Sequence, residues 1–141
     1  AKTLISTVGG AAGPLYGTAF LRAAKAVDVP ELDANGVVAL FEAALDGVTS
    51  RGKATTGEKT MVDAWAAACR AAQEAASSGA DAVTTLAAAA DGAQAGAIAT
   101  EPMIATKGRA SYLGERSAGH RDPGAESTAI IVRAAVDALT S

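Results

Sequence analysis

TMVDAWAAACRAAQEAASSGADAVTTLAAAADGAQAGAI, running from Thr60 to Ile98, is the stretch whose reading decides the fold class. It is dominated by alanine, the residue with the highest helix propensity. Met61, Trp65, Ala68 and Ala72 recur at the three- and four-residue spacing of one helical face, with Arg70 and Glu74 outside it. Ser77-Ser78-Gly79 ends this helix, and Asp81 is placed to cap a second one reaching about Ile98. Runs such as Ala87 to Ala90 present side chains small enough for a neighbouring helix to approach closely. No strand-like alternation appears anywhere in the chain, and the expected fold is all-α.

The flanking segments extend that pattern. Leu4, Ile5 and Val8 predict a short helix stopping at Gly9-Gly10. A helix from about Pro14 to Val27 carries Tyr16, Phe20, Ala24 and Val27 as its apolar stripe. After Pro30, Asp33 or Asn35 can cap a helix reaching about Ser50, with Val37, Leu40, Phe41, Ala44, Leu45 and Val48 inward and Glu42 and Asp46 outward. A last helix runs from about Gly124 to Leu139, with Glu126, Arg133 and Asp137 on one polar face.

The chain has 141 residues, enough for one domain with a real core. Half of them are hydrophobic but only 4% are aromatic, so that core must come mostly from Ala, Val, Leu and Ile. A net charge of −3, with no block of either sign, argues against general nucleic-acid or anionic-membrane binding, which need concentrated positive charge. The single cysteine, Cys69, reads as a small buried hydrophobe in a reducing compartment. No signal peptide and no bilayer-length apolar run are evident, so the expected location is cytoplasmic.

Three glycine-containing loops interrupt the helices. Gly9-Gly10-Ala11-Ala12-Gly13-Pro14 opens a helix, where unpaired amides and the helix dipole attract phosphate, although the lysine and hydroxyl of a Walker motif are missing. The competing reading is an ordinary tight interhelical turn with proline at the helix start. Arg51 to Lys59 holds three basic residues with Gly52 and Gly57, and alone it reads as a solvated connection. The third loop, roughly Thr100 to Pro123, contains Lys107, Arg109, Arg116 and Arg121 against Glu115 and Asp122, and ends in the turn signal Asp122-Pro123-Gly124. A polar loop of that length between packed helices usually carries function, and this one is furnished like an anion site. Antiparallel packing brings alternate connections to one end, so the three loops are candidates for a single rim. His120, the only histidine, reads first as an exposed or hydrogen-bonding loop residue. No zinc pattern or nucleophile elbow occurs, and Asp63 and Asp122 are too scattered to make a cation site by themselves.

Thr7 to Thr18, Arg51-Gly52-Lys53-Ala54 with Gly57-Glu58-Lys59-Thr60-Met61, and Gly108 through Ala125 together resemble the nucleotide-binding L domain of dihydroxyacetone kinases, in order and over essentially the whole chain. The last block is long and unusual enough to be specific. The resemblance implies an antiparallel helical barrel that holds ADP or ATP at one end. It implies that Gly9, Gly10, Ala11, Ala12 and Gly13 lie against the phosphates, that Gly52 and Met61 hold the adenine side, that Arg109 contacts phosphate, and that Asp122, Pro123 and Gly124 close over the nucleotide. These roles suit the residue types, since glycine amides and arginine match phosphate and methionine adapts to a flat base.

The same resemblance implies phosphoryl transfer to dihydroxyacetone held on a separate K domain or subunit, whose histidine, rather than His120, holds the substrate. ATP is consumed in one branch of the family. In the other, ADP is a prosthetic group recharged by a phosphotransferase-system partner carrying an M-type subunit. Two magnesium ions belong to the family's site, on an aspartate loop upstream of the glycine turn that this sequence does not contain. The expectation is therefore a C-terminal portion of such a domain, with its barrel incomplete at the N-terminus and inactive alone. The alternative is a non-catalytic L-like module that binds a regulator or kinase partner.

Overall fold

A computed structural model describes residues 1–140 as helices α1 (Lys2–Thr7), α2 (Ala12–Ala26), α3 (Ala34–Gly52), α4 (Met61–Ser77), α5 (Ala82–Ala99) and α6 (Pro123–Thr140), with no strand among the described residues. Side-chain caps fix the starts of α3, α4 and α5. Asp33 rather than Asn35 caps α3, accepting from the Gly36 amide at 2.7 Å. Asp81 caps α5 through the Thr84 amide at 2.8 Å. Thr60 and Asp63 form a reciprocal capping box on α4, in which Asp63 accepts from the Thr60 amide at 2.8 Å.

Several boundaries differ from the sequence expectation. α2 begins at Ala12, so Pro14 lies within its first turn, where the missing N–H breaks no helical bond. α3 continues to Gly52 and stops where Lys53 turns left-handed, at φ 51°. Pro123 itself opens α6. The expected loop after α5 contains 3₁₀ turns over Arg109–Ser117, divided at Gly114, whose φ is positive.

With few aromatics, the bundle is closed by backbone approach. A β-carbon at Gly96 would stand 2.7 Å from the Asp63 carbonyl oxygen, and one at Gly92 would stand 2.6 Å from that of Ala67. Residue numbers falling on α4 as they rise on α5 make the pair antiparallel. α3 meets α2 similarly, with Gly47 against Thr18 and Ala19. That contact explains a correction: α2 buries Tyr16, Ala19 and Ala23, whereas Ala24 is exposed and Phe20 and Val27 are partly covered. The face with the smallest side chains permits the closer approach. The large side chains fill the centre, where the Phe41 and Trp65 rings sit 5.9 Å apart.

Exposed ion pairs join neighbouring helices along their length (Arg22–Asp46 between α2 and α3, Arg133–Asp91 between α6 and α5). The up-and-down order places the α1–α2, α3–α4 and α5–α6 connections at one end of the bundle. No helix among the described residues is long and apolar enough to cross a membrane.

Replacing Gly96 by alanine tests the close approach. In an open helix the change would gain about 0.8–1.0 kcal/mol from propensity. Here the added carbon meets backbone and Ala67 within 3 Å, and overpacking costs about 1–3 kcal/mol. The expected net effect is destabilisation, read as a lower Tm in thermal denaturation.

Candidate functional site

The three connections enclose a cleft of about 600 Å³. One wall is apolar, built from Leu15 of α2, Val48 of α3, and Met61 and Val62 of α4. The lining also carries Arg51, Lys107 and Arg109, together with Ala11, Ala12, Gly52, Gly108 and Gly124. Asp122 is the one carboxylate in the lining, against four cationic side chains when Lys59 is included. An apolar wall beside a cationic, glycine-rich edge suits a ligand with a flat apolar end and an anionic end.

Each connection prepares its share. α2 is the one long helix described with no side-chain hydrogen bond at its N-cap: Ala11 occupies that position, so the first-turn amides stay available. Gly10 has a φ of 69°, and the Arg109 guanidinium lies 4.0 Å from where its β-carbon would be. At the second connection, Asp63 accepts from the Gly57 amide at 2.6 Å, and Glu58 accepts from the Thr55 amide at 2.7 Å. That bond from Thr55 is the main reason the Glu58 carboxyl lies below its usual range, with smaller help from Lys107 and Thr106. The third connection is indexed onto the helices by Asp122, whose amide donates to Thr100 Oγ1 at 2.9 Å and whose Oδ2 accepts from the Ala125 amide at 2.8 Å.

Burial pushes the Asp122 carboxyl above its ordinary value, opposed by the Ala125 and Gly124 amides. Tyr16 seats the start of α6 from below. Its hydroxyl lies 3.1 Å from the Gly124 carbonyl, to which it donates, and 2.6 Å and 3.0 Å from the hydroxyls of Ser127 and Thr128. Burial raises the Tyr16 phenol further from ionisation.

Eight of the eleven residues singled out from sequence line this cleft: Ala11, Ala12, Gly52, Met61, Arg109, Asp122, Pro123 and Gly124. Gly9 and Gly10 sit outside the lining, in the turn ahead of it. Gly13 faces the other way, within α2 and pressed on the Leu4 and Val8 carbonyls, so its lack of a side chain serves the α1–α2 contact. Arg116 and His120 are exposed and outside the lining, and Arg121 pairs with Glu101 at 3.6 Å and Glu126 at 3.3 Å.

Asp63 and Asp122 are both engaged in caps, and no group of three or more His, Cys, Asp or Glu gathers among the described residues. These residues therefore fit an anionic organic ligand and do not by themselves fit a magnesium ion. Cys69 is buried outside the cleft lining, and burial pushes its thiol up, away from reactive thiolate chemistry. Sequence reasoning missed Lys59, whose side chain is buried under the third connection. Lysine is rarely buried, so residue type pointed to solvent.

The Asp122 shift has a sign that can be checked. An acid whose folded value is raised holds its proton longer folded than unfolded. Its contribution to stability is thus greatest at the acid end and falls as pH rises through the interval above the ordinary aspartate value, then levels. Urea unfolding across that interval should show wild type losing stability relative to Asp122→Asn, which keeps the cap but cannot titrate.

The profile of the family described as the DAK2 domain matches residues 1–137. The chain is 48% identical over 132 residues to the ADP-binding subunit DhaL of PEP-dependent dihydroxyacetone kinase 1 from Listeria innocua serovar 6a, covering 94% of this chain and 61% of that one. It is 45% identical over 132 residues to the ADP-binding subunit DhaL of PEP-dependent dihydroxyacetone kinase from Escherichia coli K12, covering 93% and 63%. It is 38% identical over 138 residues to human triokinase/FMN cyclase, covering 98% of this chain and 24% of that one. The chain thus spans about three-fifths of the length of the bacterial relatives.

Proposed function

The chain belongs to the DAK2 domain family, and from that premise we propose that its cleft is the nucleotide site of a dihydroxyacetone kinase. The observation that carries the reading is the convergence of three glycine-containing connections on one cleft with an apolar wall and a cationic edge. The adenine side lies against Met61 and Gly52. The phosphates lie toward Arg109 and the open amides at the start of α2, and Asp122-Pro123-Gly124 closes the third side. When bound, the nucleotide supplies the phosphoryl group destined for a hydroxyl of dihydroxyacetone on a separate K domain or subunit.

What this chain's residues contribute is holding and orientation. Arginine offers a planar set of charge-assisted donors to phosphate. Backbone amides at a helix start reinforce it without a side chain to rearrange. The apolar wall fixes the opposite end of the ligand, which limits how the phosphates can swing.

ADP is the proposed resident nucleotide, supported by the higher identity to subunits named as ADP-binding in PEP-dependent kinases than to triokinase. The corresponding recharging partner is a phosphotransferase-system M-type subunit, and the proposed setting is cytoplasmic glycerol metabolism. Magnesium is implied by the resemblance, and none of its ligands is assigned to the described residues.

Calorimetric titration with ADP tests the reading on the full chain as its gene encodes it. Wild type should bind. Arg109→Ala should weaken binding by about 1.5–3 kcal/mol, the worth of a hydrogen bond to a charged group. His120→Ala should change it less, because His120 lies outside the cleft lining. Absence of ADP binding by wild type would sink the proposal, and unchanged affinity in Arg109→Ala would remove Arg109 from the site.

A further inference from the structure

Lys59 touches the cleft yet is only 3% exposed. Its Nζ donates toward the backbone carbonyls of Thr100 at 2.9 Å, Glu101 at 3.2 Å, Met103 at 3.1 Å and His120 at 2.6 Å. An ammonium group has three protons, so four acceptors saturate it and leave no donor for a ligand. A buried charge is tolerable only when its protons are met in this way. Lys59 also has a φ of 60°, in the left-handed region that a non-glycine residue adopts at a cost. Such strain persists where surrounding structure over-determines it, often at functional sites.

The four carbonyls come from the two ends of one connection. Three follow α5 directly, and the fourth lies just ahead of α6. Two further bonds join the same ends: the Gly119 amide donates to the Glu101 carbonyl at 2.8 Å, and the Asp122 amide donates to Thr100 Oγ1. Between the ends, the segment bearing Lys107 and Arg109 is tied down mainly by Ala105 to Ser117 and by Thr106 to Glu58. Its glycines at 108 and 114 have positive φ. The connection is a long loop gathered at its base onto one ammonium group.

We infer that Lys59 is the positioning residue of the cleft. It orders the connection between α5 and α6 before a ligand arrives, so that Arg109 and Asp122-Pro123-Gly124 already stand at the cleft edge. It acts through backbone carbonyls and does not touch the ligand. Ordering a loop of this length costs conformational entropy, and incurring that cost on folding rather than on binding preserves affinity. The inference rests on the nucleotide reading for its ligand and on the hydrogen bonds alone for its loop.

The test is Lys59→Met in the full chain, with three readouts. Hydrogen–deuterium exchange without nucleotide should quicken by about tenfold or more across residues 100–122, while α4 and α5 keep their protection. ADP affinity should fall by about tenfold or more. Arg109→Ala should cost less in the Lys59→Met background than in wild type, because the displaced arginine has less contact to lose.

Unchanged exchange with lost affinity would make Lys59 a direct ligand. Faster exchange with unchanged affinity would make it a brace of the fold alone, and additive effects with Arg109 would separate the two residues; each result overturns the inference. If wild type fails to bind ADP, the nucleotide reading falls, and the exchange result still decides whether Lys59 orders the loop. Should Lys59→Met not fold, Lys59→Gln, which keeps two donors, should shift the same readouts in the same direction by less.

Discussion

The structure depends on how closely its helix backbones approach. A core with so few aromatic rings cannot be closed by large side chains spanning wide gaps, so alanine and glycine let α5 settle on α4 and α3 settle on α2. Such packing leaves little free volume and little freedom to slide, because Gly47, Gly92 and Gly96 abut the backbone of the facing helix rather than a flexible side-chain tip. The alternation of helix directions follows from the packing and the short connections, and it gathers three loops at one end. Rigid helices below and polar loops above are a common division of labour in binding sites.

At that end, backbone groups are allocated with care. α4 uses a threonine and an aspartate for its cap, and the same aspartate steadies the Gly57 turn beside it. α6 is capped by Asp122 and seated by the Tyr16 hydroxyl. α2 has no such side-chain cap, and the Arg109 guanidinium stands 4.0 Å from the β-carbon position of Gly10, just ahead of its start. The contrast gives the cleft its polarity: the carboxylates near it and Lys59 are turned to structural work, while Arg51, Lys107, Arg109 and the open amides remain for an anion. A histidine in the most conspicuous loop draws attention in sequence, yet its ring is exposed and its carbonyl is what Lys59 engages.

Much was legible in the linear chain because it depends on local physics. Alanine content and helical spacing marked every α-helix, and Asp81 and Asp33 marked starts because an N-cap is chosen by neighbours a few residues away. The loops that line the cleft were legible too, since glycine-rich, charged segments stand out against helices, while the individual site residues came from the family resemblance. The α2 stripe was misread by one face because helical periodicity names several apolar arcs, and only a partner chooses among them. Gly13 was taken with its neighbours as part of a ligand turn, whereas its contact is with α1.

By itself, then, the sequence determined the all-helical class, the approximate helix spans and the identity of the loops rich in glycine and charge, because propensity, capping and turn chemistry act over a few residues. Only the tertiary structure decided that the three loops share one cleft, that Asp63 and Asp122 serve as caps, and that Lys59 is buried beneath a loop more than forty positions away in sequence. Those outcomes are set by long-range packing. A lysine carries the same charge and length in solvent or in a core, and what separates the two is whether the fold brings it carbonyls enough to replace water.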